Sequence, residues 1–287
     1  MLRILRVEWM KVKNYRTFWI LLAITLFSIP AVNYMFYNIM NNSFPKIKGK
    51  SILGSPFGFP DVWQTVSWNS TLLFFIPAIL IITLTTNEFT YKTHRQNIID
   101  GWSRQQFVSI KLIEVFLLSV VTTIIVLLTA LAFGYLGNKA GVAAGTGAGV
   151  TGGSGTATGT GSSVAAWHDS RFIFFYFVQM LSYSLIAFLM ALFIKRAGLA
   201  MGLFFIYMIV ENIVVGIFRG IYKVNAVDYL PEEVTDRLIP QPYLKAILSQ
   251  QDAAKWESHI PVYLLVALLY LVVYCLVTGR HFIKSDL

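Results

Sequence analysis

Residues 172–194 read FIFFYFVQMLSYSLIAFLMALFI, twenty-three positions without an Asp, Glu, Lys or Arg. A hydrocarbon core about 30 Å thick is crossed by about 20 apolar residues in a helix. Lys195 and Arg196 end the run, and a second one, residues 197–218, begins at once. Working outward, residues 17–37, 68–86, 112–136 and 260–278 have the same character, and Glu114 and Glu211 are the acids among all six runs. A helix satisfies its own backbone in lipid, whereas a barrel strand would alternate in polarity, and none of these runs does. The expectation is an all-α membrane protein with six transmembrane helices in a single domain, residues 1–287. Composition agrees. The 287 residues are 56% hydrophobic and 13% charged, against about 45–50% and about 25% in soluble domains.

Orientation is read from Lys and Arg. Residues 1–16, 87–111, 195–196 and 279–287 share one side of the membrane and carry thirteen of the 23 basic residues in short segments. Short basic loops face the cytoplasm. Both termini are therefore expected there, in a cell membrane (inner or plasma). The net charge of +9 is then a topology signal, and no basic stripe with interleaved aromatics argues for nucleic acid. No cleavable signal peptide is read at the start, because the first apolar run is long enough to span and no small-residue cleavage site follows it.

Two segments on that side have internal order. In residues 1–16, Leu2, Leu5, Trp9 and Val12 share a helical face beside Arg3, Arg6 and Lys13. This pattern fits either an interfacial helix on membrane lipid or a plain basic anchor. Residues 87–111 read NEFTYKTHRQNIIDGWSRQQFVSIK. Asp100-Gly101 signals a helix end, and Ser103 with Gln106 is a capping-box pattern that starts the next helix. The expectation is a helix-turn-helix elbow, with both signs of charge available to a soluble partner.

Glu88, Lys92-Thr93, Gly101-x-Ser103-Arg104 and Lys111, with Arg95 beside them, resemble the elbow of type-2 ABC exporter permeases. The order of elements along the chain is similar too: an N-terminal interfacial helix, six spans, an elbow between spans two and three, and a long outer segment between spans five and six. The resemblance implies a permease that pairs with a second copy or a paralogue. It also implies that Glu88, Lys92, Thr93, Arg95, Gly101, Ser103 and Arg104 couple it to a separate ABC ATPase, which would hold ATP and Mg. In that family the outer segment often contains short re-entrant helices. Here residues 219–259 are rather polar, with Asp228, Glu232, Glu233 and Asp236, and the upstream part reads as an outer cap.

Residues 137–166 are expected to form a flexible outer loop, since Gly, Ala, Ser and Thr bury too little apolar area to offset ordering entropy. Gly147-Ala-Gly149-Val-Thr-Gly152 in this tract matches a dinucleotide fingerprint, but without a strand before it or a helix after it the match carries no function. Gly49-Lys50-Ser51 lacks the first glycine of a phosphate-binding loop, since position 44 is Phe44. The chain itself is therefore expected to bind no nucleotide or other cofactor and not to be an enzyme. His94, His168, His259 and His281 have no metal-ligand spacing, and Cys275 lies alone in an apolar run.

Polar groups inside the spans complete the reading. Glu211 and its neighbour Asn212, together with Gln179, either line a substrate path or latch helices together, because a carboxylate at membrane depth must face protein or water. Gly198 and Gly202 permit close helix approach, within the chain or between chains. Pro30, Pro77 and Pro261 kink spans or mark their ends. The leading functional expectation is the permease of an ATP-driven exporter of an amphiphilic or apolar substrate, such as a peptide antibiotic, drug or lipid. The alternatives are a non-transporting membrane scaffold or sensor subunit and a lipid-modifying membrane enzyme.

Overall fold

A computed structural model of the chain describes residues 9–42, 46–47, 50–51, 56–91, 103–143, 167, 169–223, 225–244 and 250–284. Its long elements are α1 (Arg16–Asn42), α2 (Val62–Thr71), α3 (Phe75–Thr90), α4 (Arg104–Ala143), α5 (Arg171–Ile194), α6 (Ala197–Gly220) and α8 (Gln250–Lys284). The short helix α7 (Pro231–Asp236) lies between α6 and α8, flanked by 3-10 turns at Asn225–Tyr229 and Pro242–Leu244. Two-residue strands, Lys46–Ile47 and Lys50–Ser51, pair antiparallel after α1.

Among the described residues, α1, α4, α5, α6 and α8 each contain a stretch long and apolar enough to cross a membrane. The sixth expected span, residues 68–86, is not one straight helix. Its residues belong to α2 and α3, which meet at 48° and make a sixth crossing only when taken together. The break has a local cause in Pro77, which has no N–H to give to the carbonyl four residues back. That carbonyl, Leu73 O, accepts Ile76 N–H at 3.2 Å instead, and Phe74 N–H bonds to Thr71 O, so the chain turns tightly over residues 72–74. The architecture is that of a multi-pass membrane protein.

α5 is the hub. It packs against α2, α3, α4, α6, α7 and α8, and Phe172, Tyr176, Met180, Phe188 and Leu192 are buried along it. This central position explains why residues 172–194 carry no charge. The outer face of α6, by contrast, leaves Leu199, Ile206, Ile209 and Ile213 exposed.

α4 runs past its expected end at Leu136 to Ala143, so the first residues of the presumed Gly-rich loop are helical. Gly137 is required there by a close approach, since a Cβ on it would meet the Phe57 carbonyl oxygen at 2.2 Å. Residues 144–166 of the expected loop lie outside the described residues.

At the end of the bundle near the N-terminus, Asn87 donates to the Tyr15 hydroxyl at 2.6 Å. Lys195 sits over the Phe89 ring, and Phe193 packs on His281. The reversal from α5 to α6 at that end uses Lys195 in the left-handed region, φ 57°.

Candidate functional site

Two clusters of charge lie among the helices, one at each end. At the N-terminal end, Lys111 is 3% exposed on the second turn of α4. Its Nζ bonds to Glu88 Oε1, near the end of α3, and at 2.9 Å to Glu114 Oε2 one turn further along α4. The carboxylates allow the ammonium to be buried, because removing an unpaired charge from water costs several kcal/mol. The result is a clamp between the last turn of α3 and the start of α4. The start of α4 is further fixed by a capping box: Gln106 N–H donates to Ser103 Oγ at 3.2 Å and Ser103 N–H to Gln106 Oε1 at 3.1 Å.

The clamp borders two cavities that share Val12, Leu84, Lys111 and Glu114. The larger, about 470 Å³, is walled by Trp9, Val12, Phe18, Leu22, Ile81 and Val115 among others and is almost wholly apolar. The smaller, about 170 Å³, has polar residues in its lining, among them Lys11, Tyr15, Asn87 and Glu88.

Among the residues expected to couple to a partner, Glu88 and Ser103 stand in this corner. Glu88 ties to Lys111. Lys92, Thr93, Arg95 and Gly101 lie outside the described residues, as does the Arg104 side chain. By sequence Lys111 reads as a basic residue before span three, and its burial follows from the two acids around it.

At the opposite end, residues 219–259 do more than cap the bundle. Glu211 lies nine positions before Gly220, the end of α6, which is roughly 14 Å at about 1.5 Å per residue. Its Oε1 accepts the backbone N–H of Glu232 at 2.7 Å and of Glu233 at 3.2 Å. Helix α7 therefore starts at that depth and packs against α5, α6 and α8. At its end, Asp236 Oδ1 accepts from Gln179 Nε2 at 2.6 Å and from the Tyr183 hydroxyl. Pro231 at the first turn fits the start of such a short helix.

The rim side of α7 carries a second set of charges. Asp228 accepts from Arg219 and Arg237, each at 2.7 Å, and Glu233 pairs with the same two arginines. Charge is thus sorted across the helix, with Asp228 and Glu233 facing arginines while Glu232 and Asp236 face inward toward Glu211, Gln179 and Tyr183. Burial, then the Glu211 and Asp236 carboxylates, push the Glu232 carboxyl up to about 9. Gln179 and Glu211 meet α7, whereas Asn212 turns back to donate to Met208 O at 3.0 Å. At Gly198 and Gly202 no atom of the described chain lies within 4 Å of where a Cβ would sit, so neither serves close packing with a described element.

A third polar group, missed in the sequence, lies between α1 and α2. Asn33, fully buried, donates to Ile29 O at 2.9 Å and to Ser70 Oγ at 3.3 Å. Asn69 donates to Asn33 Oδ1 at 3.2 Å, and the Tyr243 hydroxyl donates to Asn69 Oδ1 at 2.9 Å. Among the described residues, no group of His, Cys, Asp or Glu is placed to hold a metal ion.

The sequence profile of a family described as "Protein of unknown function (DUF2705)" matches residues 31–287, from within α1 to the last residue. The chain belongs to the DUF2705 family. Comparison with curated proteins gives no match. The DUF2705 match includes both charged clusters, Glu88–Lys111–Glu114 and Glu211 with α7, and leaves out the helical turn at residues 9–13 that walls the apolar cavity.

Proposed function

We propose that this DUF2705 protein is the transmembrane permease of an ATP-driven exporter, energised by a separate ABC ATPase that docks on the elbow between α3 and α4. The observation that carries the reading is the buried clamp of Lys111 between Glu88 and Glu114. An elbow transmits displacement only if its two ends are held at fixed separation, and the clamp, with the Ser103 capping box, holds them. On this reading both termini and the elbow are cytoplasmic, and α7 lies toward the outside.

The substrate class follows from the cavity beside the clamp. Its apolar walls, and the charged and polar side chains that border the smaller cavity, suit an amphiphilic or apolar molecule that enters from the inner leaflet. Such molecules partition into lipid first, so a chamber opening beside the interfacial residues Trp9 and Val12 meets them where they accumulate.

The test is co-purification of the full chain with the ABC ATPase expressed beside it, followed by an ATPase assay in lipid. Lys111→Met is expected to lose substrate-stimulated hydrolysis while still inserting in the membrane. A complex that forms and hydrolyses ATP without response to any amphiphile would favour a scaffold or sensor subunit. Absence of any complex would remove the permease reading.

A further inference from the structure

Three carboxylates meet where α7 inserts between the spans, and their hydrogen-bond supply is unequal. Glu211 takes two backbone N–H groups. Asp236 takes Gln179 and Tyr183. Glu232, 3% exposed, has its Oε1 buried without a partner. Gln179, also 3% exposed, directs its amide N–H to Asp236, and the oxygen of the same amide is likewise buried without a donor. No Lys or Arg forms an ion pair with Glu211, Glu232 or Asp236 among the described residues, while Arg219 and Arg237 are engaged at the rim.

A buried carboxylate with neither a cation nor donors to its free oxygen is not stable as an anion beside two others. A metal ion does not resolve the conflict, since these acids are not placed to share one. A proton does. It neutralises Glu232 and turns one of its oxygens into a donor for the acceptors around it. We propose that Glu232 is a proton-binding site whose occupancy holds α7 inserted between α5 and α6, so that losing the proton expels the helix from the bundle.

The elements packed on α7 bring acids and phenols to it. α6 offers Glu211 and Tyr207, α5 offers Tyr183, α8 offers Tyr263, Tyr270 and Tyr274, and the preceding 3-10 turn offers Asp228. On α7 and its end, Glu233 and Arg237 face the rim, paired there. None of these groups supplies Glu232 with positive charge.

A group whose carboxyl lies at about 9 in the folded chain, against about 4.3 in an unfolded one, binds its proton more tightly when folded. The stability it lends is present at low pH and declines between those values as pH rises. Infrared titration of the full chain in lipid nanodiscs reads the proton directly. The wild type is expected to show the carbonyl stretch of a neutral carboxyl at about pH 7, lost toward about pH 10. Glu232→Gln is expected to lack that component and to flatten the fall of the unfolding midpoint between about pH 5 and about pH 9. Glu211→Gln, which keeps the acceptor to α7 but removes the nearest charge, should move the band's midpoint to lower pH. This second variant decides the matter even if Glu232→Gln does not fold. Absence of the band in wild type at about pH 7, its persistence in Glu232→Gln, or an unmoved midpoint in Glu211→Gln would each overturn the assignment.

Discussion

Glu211 on α6 accepts the backbone N–H of Glu232 on α7 at 2.7 Å, so this acid within α6 is the docking point of α7. Through this bond Glu211 joins α6 to α7. A buried acid is accommodated there because it accepts N–H bonds that the first turn of α7 cannot satisfy internally.

That relationship predicts an ordered pair of effects. Glu211→Gln keeps an acceptor for Glu232 and Glu233 N–H and is expected to cost about 1 kcal/mol or less. Glu211→Leu leaves those N–H groups buried without an acceptor and is expected to cost about 1–3 kcal/mol. Thermal unfolding of the purified chain in detergent, with limited proteolysis over residues 221–244, measures both. Equal stability of the two variants would show that α7 does not depend on this acceptor.

Lys111 gives a larger effect. Removing one partner of a buried ion pair typically costs about 3–5 kcal/mol because the remaining charge stays buried. Lys111→Met strips the ammonium from Glu88 and Glu114 together. It is expected to destabilise more than Glu114→Gln, which leaves the Glu88 pair in place. The double variant Glu88→Gln/Lys111→Met should recover part of the loss, read as a positive coupling in the unfolding midpoint. Additive losses would mean that the clamp is not a unit.

The buried amides make a finer test. Tyr243 and Asn69 lie 174 positions apart and share one bond of 2.9 Å. Tyr243→Phe should cost about 1 kcal/mol. In an Asn69→Ala background the same change should cost little, because the acceptor is gone. A double-mutant cycle of unfolding free energies gives the coupling directly, and a value near zero would remove the bond from the account.

Much of this fold could be read in the sequence because lipid imposes one rule on every span. Runs such as 172–194 and 197–218 were bounded to within a few residues by counting apolar positions. Long-range pairing was harder to read. Lys111 looks like an interfacial flank until Glu88, twenty-three positions away, is brought beside it. Asn33 and Asn69 interrupt apolar runs, and each is a signal of an interior network, but the sequence does not say with what partner. Residues 231–236 carried local marks of a helix, Pro at the first turn and acids beside it. Their polarity nevertheless suggested a surface cap, because insertion depends on Glu211 and Gln179, acceptor and donor on other elements. By its apolar content the run at 68–86 reads as one helix that contains Pro77. Whether such a proline kinks a helix or splits it depends on how neighbours accommodate the turn at 72–74.

The glycines separate packing within the chain from packing between chains. At Gly137 an added Cβ would strike the Phe57 carbonyl oxygen at 2.2 Å, and backbone cannot swing aside. Gly137→Ala is therefore expected to cost about 1–3 kcal/mol as overpacking. Gly134→Ala strikes the Phe59 ring, a side chain, and should be milder. Gly198 and Gly202 are open on their own chain, so bulk there should leave the unfolding free energy within about 0.5 kcal/mol of wild type. The proposed permease needs a second copy or a paralogue, and the exposed apolar face of α6 that carries these glycines is where small residues would admit it. Gly198→Ile/Gly202→Ile is thus expected to preserve stability yet reduce the dimer fraction in single-molecule photobleaching in lipid. Lost stability with an unchanged dimer fraction would place these glycines inside the fold of one chain and take α6 out of the pairing surface.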